Sequence, residues 1–239
     1  MSNINTNTNP PAPVITNIQP AQLPSTTSAP VPRWVRKLRK DPDNFVPSEP
    51  AHLIGPAQKV ATNFLMRAKS YRKKGLRPKP HVFYGPSGVG KSKIVDMAVK
   101  ILIQDPANYS KVPGADLGKS IIEAWIRDGQ LKAMFPGLIV KHIDEVDKCS
   151  NEAKNLFLTY LEAIPKGWVI LATTNATPDP KDAFWSRWIP HHVDRPTDSE
   201  IENFLHHVME LPLSEAKRIT VDCKGNVRSA YNMAAEWLA

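Results

Sequence analysis

Short apolar runs alternate with amphipathic stretches along most of this chain. His81-Val82-Phe83-Tyr84 has the length of a buried strand, and 92–103 carries Ile94, Val95, Ala98, Val99, Leu102 and Ile103 at helical spacing. Positions 109–113 read as a weak strand. Ser120 and Glu123 have the spacing of a capping box, opening a helix with Ile121, Ile122, Trp125 and Ile126. Leu138-Ile139-Val140 begins a buried strand. Positions 150–164 place Ala153, Leu156, Phe157, Tyr160, Leu161 and Ile164 on one helical face. Trp168-Val169-Ile170-Leu171-Ala172 is a further buried strand, and 189–193 a last, shorter one. Strands alternating with helices predict an α/β fold, a parallel sheet covered by helices on both faces. After residue 193 only helices are expected. Thr197 and Glu200 cap the first, and 214–221 and 226–238 follow, which predicts a small all-helical lid.

The pattern changes towards the N-terminus. Residues 1–32 are rich in Asn, Thr, Pro, Ser and Ala and nearly lack large apolar side chains, so they are expected to be a disordered tail. Arg33-Trp34-Val35-Arg36-Lys37-Leu38-Arg39-Lys40 reads equally well as a grip on a phosphate backbone or as a solvated helix turn. Pro42, Pro47 and Pro50 mark a linker. The fold is expected to begin near Leu53-Ile54-Gly55. Pro56 opens a helix there with Val60, Phe64, Leu65 and Ala68 as its stripe. The basic residues Arg67, Lys69, Arg72, Lys73, Lys74, Arg77 and Lys79, broken by Gly75 and Pro78, read first as a solvated helix end and second as a nucleic-acid patch. Three regions result: 1–50 as tail and basic linker, 51–196 as core, 197–239 as lid.

Charge and cysteine content narrow the partners. Among 239 residues, 31 Lys and Arg stand against 23 Asp and Glu, a formal charge of +8. That balance favours a polyanion, most simply nucleic acid such as DNA. Cys149 and Cys223 are far apart and out of metal-ligand spacing, which fits a reducing, cytoplasmic setting rather than a disulfide scaffold or zinc site. No apolar run approaches the ~18 residues of a membrane span, and the first twenty residues lack the blocks of a signal peptide.

The chemistry centres on Gly85-Pro86-Ser87-Gly88-Val89-Gly90-Lys91-Ser92, the G-x-x-x-x-G-K-[ST] pattern between a strand and a helix. Its glycines let backbone N–H groups turn toward a polyphosphate, and the helix start adds a field favourable to negative charge. Lys91 would reach the β- and γ-phosphates of ATP, and the Ser92 hydroxyl would ligate Mg²⁺. Ile143-Asp144-Glu145 closes the strand begun at Leu138, and parallel strands deliver their C-terminal ends to the nucleotide crevice. Asp144 there could hold Mg²⁺ through water, and Glu145 could orient and polarise the attacking water. Asn175 ends the next strand, where its amide could hold that water or the γ-phosphate.

Read together, these segments resemble AAA+ ATPases. Ile143-Asp144-Glu145-Val146-Asp147-Lys148, with Glu152-Ala153 and Tyr160-Leu161-Glu162, is similar to the Walker B region, most closely in the clamp-loader branch with replication factor C and bacterial clamp-loader subunits. Leu171-Ala172-Thr173-Thr174-Asn175 resembles sensor 1, and Phe184-Trp185-Ser186-Arg187-Trp188 the serine-arginine finger segment. Gly225-Asn226-Val227-Arg228-Ser229-Ala230 resembles sensor 2, and Leu53-Ile54-Gly55-Pro56 the adenine-side segment. The motifs stand in the family's order over about residues 50–239. The resemblance implies a P-loop NTPase sheet with a helical lid, Mg²⁺-dependent ATP hydrolysis, and an oligomer with ATP between subunits, in homo- or hetero-oligomeric rings or partial rings. It also implies that Arg187 acts on a neighbour's ATP and that Arg228 contacts the γ-phosphate in cis, coupling the lid to the nucleotide.

The chain departs from the clamp-loader pattern in three ways. Lys141 and His142 interrupt an otherwise apolar strand, Lys141 as a snorkelling side chain and His142 as a satisfied core histidine. Trp188 replaces the cysteine that follows the serine-arginine pair. The sequence ends with the lid at Ala239, without the helical collar a clamp loader needs, and the expected role is a DNA transaction: replication, helicase loading or mobile-element propagation. The His191-His192 and His206-His207 pairs read as ordinary surface or core residues. Three other functions compete. A superfamily 3 viral-type helicase shares the loop and the Thr-Asn, but usually lacks sensor 2. A protein unfoldase would place a pore-loop aromatic within 112–116, where Val112-Pro113-Gly114-Ala115-Asp116 has none. A non-enzymatic ATP switch would not need Glu145 and Arg187.

Overall fold

The computed structural model describes residues 33–41, 44–74, 79–130, 137–162 and 164–238. The expectations for 1–32, for Pro42, for the 75–78 break with Gly75, Arg77 and Pro78, and for Ala239 lie outside these residues.

Five strands form one sheet: β1 (His81–Tyr84), β2 (Tyr109–Pro113), β3 (Ile139–Asp144), β4 (Trp168–Thr174) and β5 (Ile189–His192), in the order β2-β3-β4-β1-β5 with every pair parallel. Successive residues face opposite sides, so β1, β3 and β4 each feed two cores. Phe83, Val140, Val169 and Leu171 pack under α2 (Pro56–Lys74) and α3 (Lys91–Leu102). Val82, Ile143, Ile170 and Ala172 pack under α4 (Lys119–Gln130) and α5 (Asn151–Glu162). Register fixes the working edge. Tyr84 pairs with Thr174, and Ile143 with Ala172, so β1, β3 and β4 end together at the side where their following loops meet.

Helix starts follow local chemistry. Ser150 caps α5 through its hydroxyl, 3.1 Å from the Ala153 N–H. Thr197 and Glu200 form the expected capping box ahead of α6 (Asp198–Asn203). The Ser120–Glu123 box is corrected. The Ile122 N–H bonds the Gly118 carbonyl, so α4 begins at Lys119 and Ser120 already lies inside its first turn. A side chain inside the turn no longer sits at the cap. A π-helical turn, Phe204–Val208, continues α6 and contains His206 and His207.

The polar interruptions of the strands are built into the core. Lys141 is nearly buried, its ammonium 4.9 Å and 5.3 Å from the ring centroids of Trp168 and Trp125 and 3.9 Å from Asp128. His142 Nδ1 meets the Tyr109 hydroxyl at 3.0 Å. His81 meets His191 at 2.9 Å and Tyr71 at 3.1 Å. Burial pushes His81 down to about 3 and His142 and His191 to about 4.

A third core belongs to the helical lid: α6, α7 (Leu213–Cys223) and α8 (Val227–Leu238) pack around Ile201, Leu205, Ile219 and Ala230. The basic segment 33–40, read from sequence as a backbone grip or a solvated helix turn, is a helix, α1 (Arg33–Lys40), and it is seated rather than fully solvated, with Leu38 buried in this same core. Its apolar residues are few, but Val35 and Leu38 fall on one face three residues apart, which suffices to seat two turns.

Candidate nucleotide-binding site

The loop 85–90 joins β1 to α3, and Gly88 lies against the lid. Gly88 has φ 80°, and a Cβ there would lie 2.1 Å from Asn226 Oδ1. The Arg228 N–H donates to the Gly88 carbonyl at 3.1 Å, so the first turn of α8 is tied to the loop by backbone. Lys91 is buried at the start of α3. Its Nζ donates to the carbonyls of Gly85 (2.8 Å) and Pro86 (2.6 Å) and to Asn175 Oδ1 (2.8 Å). Burial lowers its pKa, against the pull of Asp147, Glu145 and Asp144.

The carboxylates stand across from the loop. Asp144 accepts from Thr173 Oγ1 at 2.5 Å and from Ser92 Oγ at 3.4 Å, and Lys111 Nζ lies 2.7 Å from its other oxygen. Burial alone would raise the Asp144 carboxyl, but the bonds from Lys111 and Thr173 and the charge of Lys111 hold it below the usual range. Glu145 sits in the left-handed region with φ 55°. Its amide donates to Thr173 Oγ1 at 3.1 Å, and its carboxylate meets Asn175 Nδ2 at 3.2 Å and Lys148 Nζ at 2.6 Å. Gly114 makes this backbone path possible, since a Cβ there would lie 2.1 Å from the Glu145 carbonyl oxygen. Asn175 therefore bridges Lys91 on one side and Glu145 on the other, as the strand order β3-β4-β1 requires.

One cavity of about 350 Å³ collects these groups: Lys91, Ser92, Asp144, Glu145, Asn175 and Arg228 line it. Phe45, Pro47, Leu53, Val227, Tyr231 and Ala235 add apolar and aromatic side chains to the same lining. The Tyr231 hydroxyl donates to the His52 carbonyl at 2.7 Å, and its ring stacks at 6.5 Å and 10° on Phe45. Of these, Leu53 and Val227 lie in segments signalled in the sequence, as Thr173 does beside Asn175. Phe45, Pro47, Tyr231 and Lys111 are not signalled as site residues, because they come from distant segments and carry no nucleotide-site motif.

Arg187 is not at this cavity. It ends a 3-10 turn just before β5, and Ile189 pairs with His81, the first residue of β1. That is the opposite edge of the sheet from the loop. There its guanidinium bonds the Ala183 carbonyl at 2.5 Å and the Glu162 carboxylate, beside a second cavity lined by Lys79, Pro80 and Ile164.

The donor set fits a magnesium–triphosphate. A buried ammonium is held by neutral oxygens alone, Ser92 and Asp144 offer paired hard oxygens of the kind magnesium takes, and the same cavity lining includes the apolar and aromatic side chains that a base requires.

The comparisons agree on the class of domain. Residues 81–196 match the family model of AAA, the "ATPase family associated with various cellular activities". No curated protein matches the sequence. Among solved structures, the Thermotoga maritima RuvB Holliday junction branch migration motor aligns with TM-score 0.60 at 18% identity, over 79% of this chain and 63% of that one. A single-substitution mutant of the same protein aligns with TM-score 0.61 at 20% identity, over 80% and 64%. The chain thus spans under two thirds of the length of these proteins, and at such identity the likeness is one of fold. The fold is that of P-loop AAA+ proteins, a parallel sheet flanked by helices and followed by a helical lid. Over residues 81–196 the chain is thus similar to an AAA ATPase domain.

Proposed function

We propose that this protein is an ATP-hydrolysing AAA+ motor that acts in DNA replication or a related DNA transaction, in the manner of a clamp loader or helicase loader. In this reading 51–196 is the working core, 197–239 the lid and 1–50 an N-terminal arm. Polyphosphate lies along 85–92, with Lys91 on the outer phosphates and the base against Phe45, Leu53 and Tyr231. Magnesium held by Ser92 and Asp144 would neutralise phosphate charge. Glu145 orients and polarises the attacking water, and Asn175 fixes the distance between Glu145 and Lys91. Arg228, on the lid helix tied to Gly88, reports the nucleotide to the lid.

The observation that carries the reading is the gathering of Lys91, Ser92, Asp144, Glu145 and Asn175 at one cavity, with Arg187 on the opposite sheet edge. A guanidinium there serves a neighbour's phosphates more readily than its own, which supports ATP bound between subunits. The DNA assignment is supported by the +8 charge and by the fold likeness to the RuvB Holliday junction branch migration motor. Two buried free thiols, Cys149 and Cys223, suit a reducing intracellular setting, and no helix among the described residues is long and apolar enough to cross a membrane.

The test is ATP turnover with and without single-stranded, duplex and primed DNA, alongside mass measurement with an ATP analogue. Turnover stimulated by one DNA form, and a mass of several subunits, are expected. Turnover indifferent to all three forms in a protein that stays monomeric contradicts the proposal.

A further inference from the structure

The solvent face of α1 carries Arg33, Arg36, Lys37 and Lys40, all exposed. Their spacing is i, i+3, i+4, i+7, so they share one side of the helix. None makes an ion pair or side-chain hydrogen bond among the described residues. The opposite side is fully used. Leu38 is buried in the lid core and Val35 is buried beside it. Trp34 packs on His52 at 4.5 Å, on Phe45 at 6.1 Å and on Phe204 at 6.3 Å. Arg39, the one cation turned inward, is held by Glu210 and by the Val208 carbonyl at 3.1 Å.

We propose that this face of α1 is a docking surface for the phosphate backbone of a nucleic acid. The inference rests on the DNA reading above and names where the backbone sits. Two features select this occupant. A basic amphipathic helix binds a membrane surface by burying its apolar side in lipid, and here that side is already buried against the lid. The four cations span the eight residues of α1, about 10 Å at the helical rise. Duplex DNA presents a charge every ~1.7 Å of its axis, so an array of this density meets several phosphates at once. The helix is anchored by Trp34, Leu38 and Arg39, which presents the cations as a fixed row rather than on a loose tail. No ordering of a flexible segment is then charged against binding.

The experiment compares the full chain with Arg33→Gln/Arg36→Gln/Lys37→Gln/Lys40→Gln and with the charge-keeping Arg33→Lys/Arg36→Lys. Binding to labelled duplex DNA, single-stranded DNA and RNA is measured across a salt series. Thermal melting and ATP-analogue affinity serve as folding controls; both should be unchanged, because the replaced side chains are exposed and unpaired. Each backbone phosphate contact contributes about 0.9 to the log–log salt slope, so the fourfold Gln variant should lose about 3 to 4 in slope. Its affinity near physiological salt should fall at least about tenfold, and the Lys variant should keep the wild-type slope. The nucleic-acid form that shows the largest loss identifies the occupant. A wild-type chain that binds, with a Gln variant of equal slope, overturns this inference and leaves the proposed function standing. A wild-type chain that binds none of the three overturns both. Polyglutamate displacing the nucleic acid equally well, charge for charge, would mean that the face takes an acidic protein and would also overturn the inference.

Discussion

Lys111 reaches from β2 to the carboxylate of Asp144 in β3, with Nζ 2.7 Å from Oδ2. Pro113, two residues beyond Lys111, pairs with Asp144 in the sheet, so the Lys111 side chain runs along the strand direction to the site edge. An ammonium at this position competes with any divalent cation for the same carboxylate. Lys111 is partly exposed, so the pair is screened and its worth is that of a modest surface ion pair.

Replacing Lys111 with Met should therefore tighten metal binding. In a titration of magnesium against a fluorescent ATP analogue, the half-saturating concentration should fall about two- to fivefold, the equivalent of ~0.4–1 kcal/mol. A half-saturating concentration that rises would make Lys111 a direct ligand of the phosphates instead.

The placement of Arg187 predicts complementation. Arg187→Ala should leave melting and ATP affinity near wild type, while cutting turnover by about the 10³-fold at the low end of arginine-finger effects. Mixed with an equal amount of Glu145→Gln it should regain part of the activity, since one variant supplies a working cavity and the other the guanidinium. The measurement is steady-state turnover of the mixture against each variant alone. Two co-assembled variants that stay inactive would place Arg187 in a structural role with Glu162.

Much of this architecture is readable from sequence because its signals are local. Apolar runs of strand length, the glycine pattern and the Thr197–Glu200 box each sit within a few residues, and the parallel sheet follows from their alternation. Asn175 is readable too, as the end of the strand that topology places between the loop and the carboxylates. What is not readable depends on distant segments meeting. Phe45 and Tyr231 stack across 186 positions and both line the cavity. Lys111 finds Asp144 only through strand register, and Gly114 is required only by the Glu145 carbonyl. The basic residues of α1 hide a seat whose partners are in the lid, and Ser120 mimics a cap because the helix-starting carbonyl belongs to Gly118.

The buried histidines set the acid side of stability. His142 has an ordinary value of 6.5 and is pushed down to about 4 in the fold, chiefly by burial. Between those values the unfolded chain binds a proton that the fold refuses, so stability falls as pH drops from about 6.5 to about 4. His81 and His191 act in the same direction. Urea unfolding across that window should show His142→Gln with a shallower dependence, by at most about 1.4 kcal/mol per pH unit. An identical slope in the variant would mean that His142 takes up its proton without unfolding.

If Glu145 drives hydrolysis at the cavity built on Lys91 and Asp144, turnover and nucleotide affinity should separate when both are measured on the wild type and Glu145→Gln. The wild type should show Mg²⁺-dependent hydrolysis, and the variant should bind ATP as well but turn over about 10²- to 10⁴-fold more slowly, the range of general acid–base catalysis. A Glu145→Gln protein that hydrolyses ATP at the wild-type rate would contradict that role for Glu145.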